Sequence, residues 1–238
     1  MKRVTLAAAC AAGLAVTSAQ AAEITGGYVD IGYSAFTDDT SVSSWKLAGS
    51  GELGFSRVFG LQLDLAAYNF GQISETGTTA TLHGVFHVSN SASVGLFLGR
   101  DSLNSADATF YGIEGGFEIG PQAGLEAYVA RDDGQAGSNS TLLGAKVEGA
   151  VSDQFNLNAQ IDYVDAPAGV NFSRASVGAD YNFGEGAKLY GEIGSARASA
   201  FGVSGNEPFI ALGFRYDLGA ARGTTFGRRG LLDKIPGL

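Results

Sequence analysis

The chain has 238 residues, with 24 Asp and Glu against 15 Lys and Arg, one cysteine, 36 glycines and only four prolines. A formal charge of −9 denies it the basic footprint that nucleic acid requires, and the glycine excess fits poorly with a compact helical enzyme. No stretch approaches the ~18 consecutive apolar residues of a membrane-spanning helix.

Met1 to Ala21 reads as a secretory signal. Lys2 and Arg3 form a positive start, Val4 to Val16 an apolar run, and Ala19-Gln20-Ala21 a small-x-small cleavage site. Cys10 falls inside it. Taking Cys10 as the acylated residue of a lipoprotein sits badly with the short apolar run before it and with Ala at position 7. The mature chain therefore has no thiol for disulfides or catalysis. The signal carries +2 and the segment from Gly219 to Leu238 carries +3 (Arg222, Arg228, Arg229 and Lys234 against Asp233), which leaves −14 on Ala22 to Leu218. No linker composition interrupts that stretch, so a single unit is expected.

Twelve segments place apolar residues on alternate positions, a period of two and not 3.6. They are Tyr28 to Phe36, Trp45 to Phe55, Phe59 to Phe70, Thr78 to Val88, Ser93 to Arg100, Thr109 to Ile119, Ala123 to Arg131, Thr141 to Val151, Phe155 to Val164, Phe172 to Phe183, Lys188 to Arg197 and Glu207 to Leu218. In the last of them Ile210, Leu212, Phe214, Tyr216 and Leu218 share one face, and Ala211, Gly213, Arg215 and Asp217 share the other. Ten such residues at about 3.3 Å each, tilted by roughly 45°, cross the hydrocarbon of a bilayer.

The connectors alternate too. Short ones, such as Ser56-Arg57-Val58 and Gly120-Pro121-Gln122, take turns with longer ones, such as Asp101 to Ala108 and Ala198 to Asn206. The pattern predicts an all-β fold, a single antiparallel up-and-down transmembrane β-barrel of about 12 strands, with short periplasmic turns and longer extracellular loops. A soluble β-sandwich alternates in the same way. Strands of nine to twelve residues, the secretory signal, and aromatics such as Tyr33, Trp45, Phe155 and Tyr216 near the ends of the apolar faces favour the membrane.

The signal ending AQA, the first strand GGYVDIGYSAF and the last strand FIALGFRYDL together resemble the porin-like β-barrels of the Gram-negative outer membrane. The resemblance covers Ala22 to Leu218 and is one of pattern. It implies residence in the cell outer membrane, contact with outer-membrane lipid and lipopolysaccharide, and recognition of Phe209 to Leu218 by the barrel-assembly machinery. The chain departs from general porins in lacking a loop long enough to fold into a pore, and in running twenty residues beyond its last strand.

If Phe214 and its companions face lipid, the opposite parity lines the lumen. That set holds Asp30, Glu52, Asp64, Glu114, Glu118, Glu126, Glu148, Asp162, Asp180, Glu192 and Asp217, with Lys46, Lys146, Arg174, Lys188 and Arg215 as the bases. Eleven acids against five bases make a negative interior. Two readings follow: a narrow aqueous pore that passes small hydrophilic solutes with a mild cation preference, or a barrel filled by paired side chains. His83 and His87, also on the lumen parity, stand about 13 Å apart along one strand, too far to share a metal ion. A lipid-modifying enzyme needs a nucleophile such as Ser50, Thr81 or Ser176 within reach of one of them. No phosphate-binding loop, hydrolase elbow or zinc motif is present, and no cofactor is implied.

The longer connectors collect acids (Asp38, Asp39, Glu75, Asp101, Asp107, Asp132, Asp133, Asp165, Glu207) that form a solvated acidic rim or hold divalent ions against lipopolysaccharide phosphates. Residues 219–238 form a basic, glycine-rich periplasmic tail, expected to be mobile, with contact to peptidoglycan or occlusion of the barrel mouth as the alternatives.

Overall fold

A computed structural model describes residues 22–72, 75–104, 106–120, 122–133, 139–201, 203–219 and 224–236. The signal expected at 1–21 lies outside these residues. Twelve strands follow in chain order: β1 (Glu23–Phe36), β2 (Ser43–Gly54), β3 (Phe59–Phe70), β4 (Thr76–His87), β5 (Ala92–Leu103), β6 (Ala106–Ile119), β7 (Ala123–Asp133), β8 (Asn139–Ala150), β9 (Phe155–Ala166), β10 (Val170–Gly184), β11 (Ala187–Ala200) and β12 (Val203–Leu218). Each pairs antiparallel with its neighbours in sequence, and β12 returns to β1 to close the barrel. Closure satisfies every strand edge, which a bilayer demands because its hydrocarbon offers no water to unpaired backbone groups.

The closing seam runs from Gly27 opposite Leu218 to Phe36 opposite Phe209, so the whole of FIALGFRYDL is used in it. Its apolar face points outward, with Leu212 58% exposed and Leu218 46% exposed on the bare barrel. The other strands follow: Leu47, Leu82, Leu96, Ile113, Ile161, Val177 and Ile193 are all exposed, as an outer surface built for lipid must be. Aromatic pairs sit toward the two rims. Tyr33 and Trp45 lie 5.0 Å apart by ring centroids near one rim, and Phe155, Tyr181 and Phe183 form a chain of rings near the other.

The short-turn rim matches its sequence reading closely. The two-residue turn Glu185-Gly186 carries positive φ at both positions (52° and 85°), as the strand twist of a tight hairpin requires, and a Cβ at Gly186 would meet the Asp217 carbonyl at 2.6 Å. At the opposite rim strand pairing runs further than expected. The ladder continues to Leu103 opposite Ala106 and to Ala200 opposite Val203, inside stretches read as loops of seven residues or more. Polar residues such as Ser102 and Asp107 are compatible with strand above the bilayer, where both faces meet water and only backbone pairing need be met.

The interior is not uniformly polar. Phe97, Phe110, Tyr128, Ala130, Leu142 and Val164 form one buried cluster on lumen-facing positions, and Ala48, Ala66, Tyr68 and Phe70 form a second. Each takes in one leucine from beyond the last strand, Leu231 in the first and Leu232 in the second.

Candidate functional site

The two leucines belong to a segment that lies inside the barrel. Described residues 224–236 follow the inner wall from the short-turn rim toward the other, with Phe226 and Leu232 buried and the charged Arg229 and Lys234 only 4% exposed. A mobile tail was expected here; this stretch is instead anchored along the wall of β2 to β9.

An irregular segment inside a barrel has backbone groups that no ladder satisfies, so the wall must supply partners. It does so with side chains. Glu52 accepts from the Thr225 N–H (2.8 Å), Glu126 from the Gly227 N–H (3.1 Å) and Asp101 from the Leu231 N–H (2.6 Å). Gln62 takes both sides of Phe226: its Oε1 accepts from the N–H (3.0 Å) and its Nε2 donates to the carbonyl (2.6 Å). A short 3-10 turn, Leu231–Asp233, follows.

The side chains are held as closely. Arg229 donates from Nε to Glu114 (2.7 Å) and from a terminal nitrogen to Glu126, while its guanidinium lies 4.6 Å from the Tyr128 ring centroid. Arg228 pairs with Asp233 (2.7 Å) and donates to the Tyr28 hydroxyl (3.0 Å); Tyr68 donates to the same Asp233. Lys234 sits 3.6 Å from Asp162. Burial opposes ionisation of Asp233, but Arg228 and Lys234 beside it hold its carboxyl below the usual range. The ring of Phe226 stacks over His83, and the wall is cut away to admit it: a Cβ at Gly95 would lie 2.8 Å from that ring. The converse holds at Gly230, where a Cβ would come within 2.4 Å of Thr79 Cγ2.

Beneath Phe226 the structure joins residues that the sequence could only place on one parity. His83, fully buried, has Nδ1 2.7 Å from Glu114 and Nε2 3.0 Å from Asp64, and Asp64 also accepts from Ser50 and from Gln62 (2.9 Å). With both ring nitrogens facing carboxylates, His83 has no hydroxyl to activate. His87 lies nearer the short-turn rim, its Nδ1 2.7 Å from the Ser93 hydroxyl and its Nε2 4.0 Å from Glu52. Among the described residues no group of His, Cys, Asp and Glu is arranged to hold a metal ion.

The remaining predicted residues lie mostly on the other side of the lumen, where each base is paired within the wall. Lys46 reaches Asp30 (2.7 Å), with Arg215 3.6 Å from the same carboxylate. Lys146 pairs with Glu148 (2.6 Å), Lys188 with Asp217 (2.6 Å), and Arg174 with Glu192 and, at 3.7 Å, Asp162. Asp180 is half-buried on β10 between them, and Glu118 is exposed at the end of β6. Between Glu118, Glu126, Lys146, His87 and Thr225, a polar cavity of about 500 Å³ opens at the short-turn rim.

Six acids expected in the longer connectors, Asp101, Asp107, Asp132, Asp133, Asp165 and Glu207, lie within strands, and Asp101 and Asp132, near the ends of β5 and β7, are buried inside the barrel, because the strands run on past the points where polar composition suggested loops. Of the partners that read the inner segment, Asp101 falls in a stretch that reads as a loop from sequence, and Gln62, Tyr68 and Tyr128 share the lumen parity of their strands without any further local signal to single them out.

No protein-family model matches the sequence, and no curated protein matches it either. Solved structures do. The KdgM porin in complex with disordered oligogalacturonate is similar with a TM-score of 0.62 at 13% identity, over 79% of this chain and 98% of that one. The NanC porin has a TM-score of 0.60 at 9% identity, over 81% and 100%. An outer-membrane channel from Pseudomonas putida F1 has 0.56 at 12%, over 84% and 97%. These are likenesses of fold, and the architecture is that of the porin-like outer-membrane barrels.

Proposed function

We propose that this chain is an outer-membrane channel that passively admits small hydrophilic solutes or ions and carries out no chemistry of its own. The single observation that carries this reading is the strip of charged, partly exposed side chains along β8 to β12 and β1, set inside an exterior that is apolar all round. Water wets part of that strip: Lys146 and Arg215 are about a third exposed, although Asp30 and Asp162 within it are buried, and Glu114 and Asp64 on the opposite wall are buried as well. His83 has carboxylates on both ring nitrogens and no hydroxyl within reach; His87 does meet the Ser93 hydroxyl, but the carboxylate at its other nitrogen, Glu52, stands 4.0 Å away, beyond hydrogen-bond distance, so the orienting partner that the lipid-enzyme reading requires is not engaged.

A cation preference weaker than the wall alone would give is expected of the lumen. Of the residues read as lumen-facing, acids exceed bases by six, and the inner segment returns two charges through Arg228, Arg229 and Lys234 against Asp233. The oligogalacturonate of the KdgM complex is a polyanion; here every wall base of the open strip has a carboxylate partner, which does not favour a polyanion path. Residence in the Gram-negative outer membrane, contact with lipopolysaccharide, and assembly through Phe209 to Leu218 belong to the same proposal. The filled half of the lumen favours one rival, a closed structural barrel. Single-channel recording in planar bilayers decides: folded, heat-modifiable protein gives discrete conductance steps, and a silent bilayer would overturn the channel reading.

A further inference from the structure

The wall of β2 to β7 treats residues 225–231 as a binding groove treats a peptide. Four backbone N–H groups and one carbonyl of this seven-residue stretch are bonded by wall side chains, which no ladder provides. The aromatic at position 226 has a slot carved by Gly95 and closed by the His83 ring. Three positions on, Arg229 has a cage of Glu114, Glu126 and the Tyr128 face. At 230 the wall approaches too closely for any Cβ. Backbone readout together with an aromatic slot and a carboxylate cage is the equipment of a peptide site, and it is far more specific than exclusion of bulk solute requires.

We infer that the acidic wall of the lumen is a binding site for arginine-containing peptide segments with an aromatic residue three positions before the arginine and a glycine just after it, and that the chain's own end is its resident, displaceable occupant. The site stands whether or not the barrel conducts. A tethered occupant competes at an effective concentration of about millimolar, so a free peptide gains access only where the tether is weakened or the incoming peptide is the better ligand. The polar cavity at the short-turn rim, bordered by Thr225, is the side from which such a peptide would enter.

The test uses the full-length protein with its own end weakened by Arg228→Ala and Arg229→Ala, folding being checked by heat-modifiable mobility. The probe is a fluorescent synthetic peptide of residues 224–235. Anisotropy in detergent should show saturable binding, at least about tenfold tighter than to the unaltered chain, whose own end competes. Adding Glu114→Gln and Glu126→Gln should remove about tenfold or more. A second peptide that keeps only the Phe, the two Arg and the Gly at their spacing should also bind. No saturable binding to the folded variant, or binding indifferent to the two Glu changes, overturns the site. Binding of the first peptide alone overturns the peptide class. If the arginine variant fails to fold, Leu231→Ala with Leu232→Ala weakens the same segment from its apolar side. Loss of conductance in every form would sink the channel reading and leave these binding results intact.

Discussion

The two halves of the lumen solve one problem in opposite ways. Both must house charges inside a sheet whose outer face is spent on lipid. Along β8 to β12 and β1 the wall answers with its own bases: Lys188 opposes Asp217, Lys146 opposes Glu148, and both pairs stay wet. Along β2 to β7 it holds Glu52, Asp64, Asp101, Glu114 and Glu126; the one lysine there, Lys46 of β2, turns to Asp30 of β1, Arg100 turns outward to Asp107, and His83, His87 and the returning segment face the carboxylates. One half is nearly complete at closure, taking only the contacts of Lys234 with Asp162 and of Arg228 with Tyr28 from the returning segment. The other is completed by sequence that lies beyond the barrel.

The sharpest break is Arg229→Ala, which leaves the buried Glu114, and the partly exposed Glu126 beside it, without their guanidinium. Loss of one partner of a buried ion pair costs about 3–5 kcal/mol, so a large fall in the thermal midpoint of the folded, heat-modifiable form is expected, together with higher conductance and stronger cation preference in reversal potentials. Gly230→Ala comes next, because its Cβ would overlap Thr79; overpacking of about 1–3 kcal/mol should loosen the segment and raise its cleavage by added protease without changing the outer barrel. The pH response is smaller. Asp233 has its carboxyl held below the ordinary value near 3.9, so its contribution is complete above about pH 4 and is lost as pH falls through the folded value. Protease accessibility of the segment should therefore rise below about pH 4, and Asp233→Asn should flatten that step. Lys188→Ala, in the wet half, is expected to change stability by less than about 1 kcal/mol, since its pair with Asp217 is roughly a third exposed. If Lys188→Ala proved as costly as Arg229→Ala, the contrast between the halves would fail.

Strand number, parity and the closing segment were legible because each rests on a local, repeated signal. Phe59 to Phe70 shows it best: Leu61, Leu63 and Leu65 alternate with Gln62 and Asp64, and the strand has those bounds. Strand ends were less legible, as at Asp101 and Asp132, where polar residues that would begin a loop in a soluble protein continue a paired ribbon at the rim. The apolar interior was hidden for a related reason. Phe97, Phe110 and Leu142 sit on the lumen parity, where alternation alone predicts polar groups. Only their mutual contact, and contact with Leu231, explains why they are apolar.

By itself the sequence determined that ten-residue amphipathic strands would cross a membrane and close on one another, since period-two alternation and an apolar outer face leave no other stable arrangement in lipid. It also held the charge imbalance, −14 on the barrel segment against +3 beyond it, without saying that the two would meet. The tertiary structure alone decided that meeting. Which carboxylates converge depends on barrel shear and register, which bring Glu52 of β2, Asp101 of β5, Glu114 of β6 and Glu126 of β7 along one line. A segment of irregular backbone finds its partners only after that line exists.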